Sequence, residues 1–182
     1  MRTFELMTKI IMITGGQRSG KSAYAEQLAL RLSERPVYLA TAHVWDEEFR
    51  HRVEMHQARR GSQWTNVEEE KYLSRHDFTH RVVVVDCITL WCTNFFFSGS
   101  SGEHDLPDVD QVLSEVKAEF DRLTAQDATF IFVTNEIGSG GVSPNALQRR
   151  FTDLEGWMNQ YVAARADEVV LMVSGIPVTI KS

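Results

Sequence analysis

Five short apolar runs punctuate the chain, at residues 10–14, 37–41, 82–86, 130–135 and 169–174. They are nearly continuous in apolar residues rather than alternating with polar ones, which is how strands covered by helices on both faces read. Helix-like stretches lie between them at 22–32, 46–60, 109–125 and 145–166. This alternation predicts an α/β protein with a mostly parallel central sheet and helices on both faces. Gly175-Ile176-Pro177 reads as a tight turn into a last short strand, 178–181, antiparallel at an edge. No internal repeat and no second hydrophobic unit interrupts the pattern, so residues 1–182 are expected to form one domain. Residues 1–9 read as a loose extension ahead of the first strand, with Met7 an alternative start. The Ser- and Gly-rich segment 98–107 reads as an exposed loop. The preceding Phe95-Phe96-Phe97 run reads as core, with a subunit contact or a wall for a large apolar ligand as the alternative.

The strands end on polar residues: Thr14, Thr41, Asp86, then Thr134-Asn135-Glu136, then Ser174. In open parallel sheets ligands bind beyond the carboxyl ends of the strands, so one site along one sheet edge is expected. The first of these ends opens into Gly15-Gly16-Gln17-Arg18-Ser19-Gly20-Lys21-Ser22, which fits G-x-x-x-x-G-K-S between a strand and a helix. The glycines let the backbone curl so that its N–H groups point at phosphate oxygens. Lys21 then reaches the β- and γ-phosphates, Ser22 ligates Mg²⁺, and the helix that follows presents its positive end. The expected fold class is therefore a P-loop NTPase, RecA-like, and the expected ligand a nucleoside triphosphate.

Asp86 closes the run Val82-Val83-Val84-Val85, where a carboxylate is well placed to hold Mg²⁺ directly or through water. Capping a helix from Thr89 onward is its other reading. In the 46–60 stretch, Phe49, Val53 and His56 lie on one helical stripe, and Arg52, Arg59 and Arg60 stand at −4, +3 and +4 from His56. Cations around an imidazole favour its neutral, nucleophilic form and also bind phosphate oxygens. His56 is thus a candidate nucleophile at phosphorus, against the plainer reading of a histidine on a basic solvated face. Glu68 has the chemistry to accept hydrogen bonds from a ribose or base, although by spacing it is only an exposed acid. The glycine-dense segment after Glu136, through Gly138, Gly140 and Gly141, suggests either close backbone approach to a ligand or a flexible turn.

Composition narrows the partners. The chain has 19 Lys and Arg against 25 Asp and Glu, a net charge of −6, which argues against a protein that wraps nucleic acid. No apolar run approaches a membrane span and the first residues do not form a secretory signal. Cys87 and Cys92 have no companions that complete a metal pattern, so they read as small buried thiols, and a reducing cytoplasm is the expected setting.

Taken together, these segments resemble the bifunctional adenosylcobinamide kinase / adenosylcobinamide-phosphate guanylyltransferase family of cobalamin synthesis. The resemblance is carried by Thr14 to Ser22, Tyr38-Leu39-Ala40-Thr41-Ala42, Arg52 to Arg60 around His56, Trp64 to Glu68, Asp86 to Trp91 with Thr93-Asn94, and Thr134 to Gly138. It continues through Asn145-Ala146-Leu147, Arg150-Phe151, Asn159-Gln160, Ala166 to Val169 and Val173 to Pro177, so that it spans residues 10–181 in order. The resemblance implies that His56 accepts GMP as a phosphoramidate, and that Ala40, Thr41, Ala42, Gln57, Ala58, Arg59, Arg60, Glu68 and Asp86 belong to the nucleotide site. It implies Mg²⁺ at Ser22 and Asp86, GTP and ATP as substrates, a corrinoid co-substrate and a homo-oligomer, a trimer in the family. Gln17, Gln57 and Ser143 depart from the family pattern without removing a group the chemistry requires. The alternatives are a P-loop kinase of another small molecule, with His56 structural, and a RecA-like nucleotide-gated binding module.

Overall fold

The computed structural model describes residues 8–43, 47, 60–98 and 106–182. A seven-stranded sheet runs in the order β3-β2-β4-β5-β1-β6-β7. Its strands are β1 (Lys9–Gly15), β2 (Val37–Ala40), β3 (Thr65–Glu68), β4 (Val82–Asp86), β5 (Thr129–Val133), β6 (Glu168–Val173) and β7 (Ile176–Lys181). All neighbours pair in parallel except β6 and β7, which form an antiparallel edge hairpin. This is the expected P-loop architecture.

The continuous apolar strands are explained by burial on both sides. Ile10 and Met12 join a core with Phe130, Phe132 and Val85, packed under the helices α2 (Ile88–Phe96), α3 (Val109–Thr124) and α4 (Ala146–Arg165). Ile11 and Ile13 point the other way, into a core with Val84, Ile131, Ala25 and Ala29, where α1 (Lys21–Leu32) covers the sheet. Successive residues of one strand therefore feed opposite cores.

One strand was not anticipated, and one helix was anticipated only as the segment from Thr89 onward that Asp86 would cap. β3 carries Thr65-Asn66-Val67-Glu68, with no apolar run, and is an exposed edge strand held by its ladder to β2. α2 is a helix built of Ile88-Thr89-Leu90-Trp91-Cys92-Thr93-Asn94-Phe95-Phe96, mostly buried, so it shows no polar face to mark a helical period. Phe95 and Phe96 are core, as expected, whereas Phe97 is exposed. The hairpin turn is two residues, Ser174 and Gly175, both at positive φ (51° and 84°), one position earlier than the expected turn. Most of the 46–60 helix, with His56, Gln57, Ala58 and Arg59, and most of the 98–107 loop lie outside the described residues. So does most of the N-terminal extension. Among the described residues no helix is long and apolar enough to cross a membrane.

Candidate functional site

β1 delivers the chain to the sheet edge at Gly15, whose φ of 146° and position 2.5 Å (for an added Cβ) from the Met172 carbonyl oxygen admit only glycine. Gly20, at φ 96°, then opens α1, and no side chain caps the helix start. The first-turn N–H groups are thus left for an anion, with the helix dipole behind them. Lys21 is buried, and its Nζ donates to the Gly16 carbonyl at 2.6 Å across the loop. Burial lowers its pKa from the ordinary value, opposed by nearby Cys87, Asp86 and Glu155. The Ser19 hydroxyl is buried in the loop without a hydrogen-bond partner among the described residues. Gly16, Gln17 and Arg18 complete the turn, Arg18 at φ 57°.

Strand register brings the next residues together. Ala40 of β2 lies opposite Glu68 of β3 on one side and Asp86 of β4 on the other, and Asp86 lies opposite Val133 of β5. Glu68 is therefore at the same sheet edge as Asp86, carried there by the unanticipated strand. It lines an open cavity of ≈ 570 Å³ together with Ala42, His43, Glu69, Glu70, Lys71 and Tyr72, a volume in the range of small-ligand pockets.

Asp86 does not cap α2. Cys87 occupies the cap position, its sulfur accepting from the Leu90 amide. One carboxylate oxygen of Asp86, Oδ2, accepts a 2.6 Å hydrogen bond from the Tyr38 hydroxyl, and the other has no hydrogen-bond partner among the described residues. Burial and the Asp86 charge push the Tyr38 phenol well above its ordinary pKa, so it stays a donor. The Ser22 hydroxyl and the remaining Asp86 oxygen are hard oxygen donors, the kind Mg²⁺ takes, so the residues present fit that ion.

Thr41 was expected among the nucleotide contacts, but its side chain is committed elsewhere. It is fully buried; its hydroxyl donates to the Cys87 carbonyl at 2.8 Å and accepts from the Cys87 amide at 2.9 Å. Its own amide donates to the Asp86 carbonyl at 3.1 Å. Thr41 thus fastens the end of β2 to the turn that follows Asp86. Arg60 departs from the expected basic face in a similar way. Its guanidinium lies 3.5 Å over the Tyr38 ring, with Nε donating to Asn66 Oδ1 at 2.9 Å and Nη1 3.8 Å from Glu26.

Beyond the end of β5, between Asp86 and the P-loop strand, the Glu136 amide donates to the Gly15 carbonyl and its carboxylate accepts from the Thr14 hydroxyl at 3.1 Å. Beneath it, α4 presents two polar residues one turn apart. Asn159 accepts from the Thr134 hydroxyl and donates to the Asn135 carbonyl; Glu155 accepts from the Thr89 hydroxyl at 2.6 Å. Burial pushes the Glu155 carboxyl up to about 7, against the hydrogen bonds from Thr89 and the Ile137 amide. Tyr38, Glu155 and Asn159 were missed from the sequence. A signal existed for the last two: polar residues at i and i+4 on the same stripe as Leu154 and Met158 of a long helix.

Comparison with known proteins identifies the family. The family model described as cobinamide kinase / cobinamide phosphate guanyltransferase matches residues 11–180. The bifunctional adenosylcobalamin biosynthesis protein CobU of Escherichia coli (strain K12) is 38% identical over 183 residues, covering 94% of this chain and 99% of that protein. The corresponding protein CobP of Pseudomonas aeruginosa is 35% identical over 174 residues, covering 93% and 96%. Among solved structures, an ATPase of the type III secretion system of pathogenic bacteria aligns with a TM-score of 0.56 at 13% identity, over 91% of this chain and 52% of that one. That likeness shows the fold alone. With a family match from the first strand to the last, and a phosphate loop, lysine and strand-end carboxylate gathered at one sheet edge, the chain belongs to the cobinamide kinase / cobinamide phosphate guanyltransferase family.

Proposed function

We propose that this protein phosphorylates adenosylcobinamide with ATP or GTP, and then caps the adenosylcobinamide phosphate with GMP from GTP. The observation that carries the reading is the uncapped, lysine-bearing start of α1 beside Asp86, in a chain of this family. In the first step the hydroxyl of the corrinoid's aminopropanol arm attacks the γ-phosphorus. The bond to the leaving nucleoside diphosphate breaks, and the hydroxyl proton leaves to a base or to water. The P-loop amides and Lys21 hold the transferring oxygens, which is where such catalysis lies. Ser22 and Asp86 are the residues that would hold Mg²⁺, and the ion, when bound, neutralises developing phosphate charge.

In the second step a ring nitrogen of neutral His56 attacks the α-phosphorus of GTP and pyrophosphate leaves. A phosphate oxygen of adenosylcobinamide phosphate then attacks that phosphorus, the histidine nitrogen departs, and adenosylcobinamide-GDP is released. Gln57, Ala58 and Arg59 belong to this half by their place beside His56, and Glu68 by its cavity at the sheet edge. Incubation with α-labelled GTP tests the reading. An acid-labile, base-stable label on the wild-type protein that is lost in His56→Ala supports it; a protein that phosphorylates but never takes label is a simple kinase. A cytoplasmic homotrimer is part of the same reading. Exposed Ile176, Val178 and Ile180 along β7 support a self-contact, and light scattering measures it.

A further inference from the structure

Arg60 presents an anomaly for a residue expected to meet phosphate. Its side chain is 2% exposed, its cationic plane lies 3.5 Å over an aromatic ring, and Nη1 is buried without a hydrogen-bond partner among the described residues. A buried guanidinium is costly unless its surroundings compensate. Here they are the Tyr38 face, the Asn66 amide oxygen and the Glu26 carboxylate, on β2, β3 and α1 respectively. None of these is a ligand-facing arrangement, yet the stack ends at the site: the Tyr38 hydroxyl is bonded to Asp86 Oδ2 at 2.6 Å. Trp64, edge-on to Tyr38 at 6.0 Å, holds the ring from another side.

We propose that Arg60 serves the nucleotide site through Tyr38, as a positioning residue. The stacked guanidinium fixes the phenol, the phenol pins Oδ2 of Asp86, and the other carboxylate oxygen is thereby presented for the metal of the metal–nucleotide complex. This rests on the reading of Asp86 as the metal-holding carboxylate. It assigns to Tyr38 and Arg60 a shared role, and it removes Arg60 from the residues that touch phosphate. Because Arg60 follows His56 by four positions in the chain, the same stack ties the C-terminal end of that segment to the β2–β4 edge.

The physical argument is one of degrees of freedom. A carboxylate at a strand end rotates about its side-chain bonds unless one oxygen is held, and a partner that orients a metal ligand typically governs metal affinity by 10–100-fold. A lysine at position 60 keeps the charge but not the flat stacking surface or the fork of donors. Arg60→Lys should therefore act like Tyr38→Phe, although one keeps the cation and the other keeps the ring.

The test uses the full chain and two binding readouts. Mn²⁺ is titrated into protein saturated with GDP, with free metal followed by electron paramagnetic resonance. A fluorescent N-methylanthraniloyl-GDP is titrated separately in EDTA. Tyr38→Phe and Arg60→Lys are each expected to weaken Mn²⁺ binding by roughly 10-fold or more, and the double variant no further than the weaker single one. Metal-free nucleotide binding should stay at the wild-type value in all three. If Arg60→Lys instead weakens nucleotide binding in EDTA while Tyr38→Phe does not, Arg60 meets phosphate directly and the inference is overturned. It is equally overturned if Asp86→Asn loses Mn²⁺ affinity while Tyr38→Phe and Arg60→Lys keep it. Should Asp86→Asn bind Mn²⁺ like the wild type, the metal reading of Asp86 itself fails. Should Arg60→Lys not fold, Tyr38→Phe, which deletes one oxygen from an otherwise unchanged ring, decides alone.

Discussion

The Gly175 amide donates a 2.9 Å hydrogen bond to the Ser19 carbonyl, so the turn of the C-terminal hairpin is fastened to the phosphate loop. Gly20 packs beneath the same turn, where an added Cβ would lie 3.4 Å from the Gly175 Cα. The last two strands thus act as a strut for the loop that begins the domain.

Alanine at the two glycines should separate strut from loop. Gly175→Ala meets no neighbouring atom but must hold φ 84°, a cost of about 1–2 kcal/mol. It is expected to lower the thermal midpoint by a few degrees while nucleotide binding survives. Gly15→Ala drives a Cβ to 2.5 Å from the Met172 carbonyl oxygen, which backbone must move to relieve. That variant should lose measurable binding of a fluorescent nucleotide even where circular dichroism reports a folded protein.

Thr41→Val removes one hydroxyl and strands one buried backbone group, the Cys87 amide, while the Cys87 carbonyl keeps the Trp91 amide as donor. Leaving buried polar groups unpaired costs about 1–3 kcal/mol each. We expect Thr41→Val to lower the unfolding free energy by about 2 kcal/mol in urea titration, with Thr41→Ser close to wild type. A Val variant as stable as wild type would show that water or a rearranged backbone replaces the hydroxyl.

Glu155 ties folding to pH. Its carboxyl is raised from 4.5 to about 7 in the folded protein, so the native state holds its proton more tightly than the unfolded chain. The stabilisation is fully present below pH 4.5 and is lost as pH rises through about 7. A shift of that size corresponds to about 3 kcal/mol. Glu155→Gln, a mimic of the protonated form, should therefore gain stability relative to wild type between pH 5 and pH 8, measured by denaturant titration at each pH. A gap between the two proteins that stays constant with pH would show that Glu155 is not titrating there.

The two thiols should be inert while the protein is folded. Burial pushes Cys87 up to about 12 and raises Cys92 well above its ordinary value, and both are buried. Only thiolate reacts at a useful rate. Iodoacetamide at pH 8 is expected to leave both unmodified by mass spectrometry until denaturant is added.

Much of this arrangement was legible in the linear chain, for identifiable reasons. β4 reads directly because Val83 to Val85 are buried on both faces and Asp86 marks the edge. The P-loop reads because its glycines answer backbone constraints that no other residue meets, as at Gly15. β3 did not read, because an exposed edge strand is specified by its partner β2 and not by its own hydrophobicity. α2 read only as a helix from Thr89 onward for Asp86 to cap, because a helix buried nearly all round has no periodicity to display.

The sequence by itself determined the fold class, the triphosphate loop and the family, since these depend on local spacing and on strand and helix periods. Only the tertiary structure decided which polar groups face a ligand and which face each other. Thr41 and Arg60 look like site residues in the chain, and the fold directs their side chains to Cys87 and Tyr38. Tyr38 looks like core, and the fold places its hydroxyl on Asp86. The reason is physical: a side chain's partner is set by strand register and helix placement across tens of residues, and no local pattern encodes that distance.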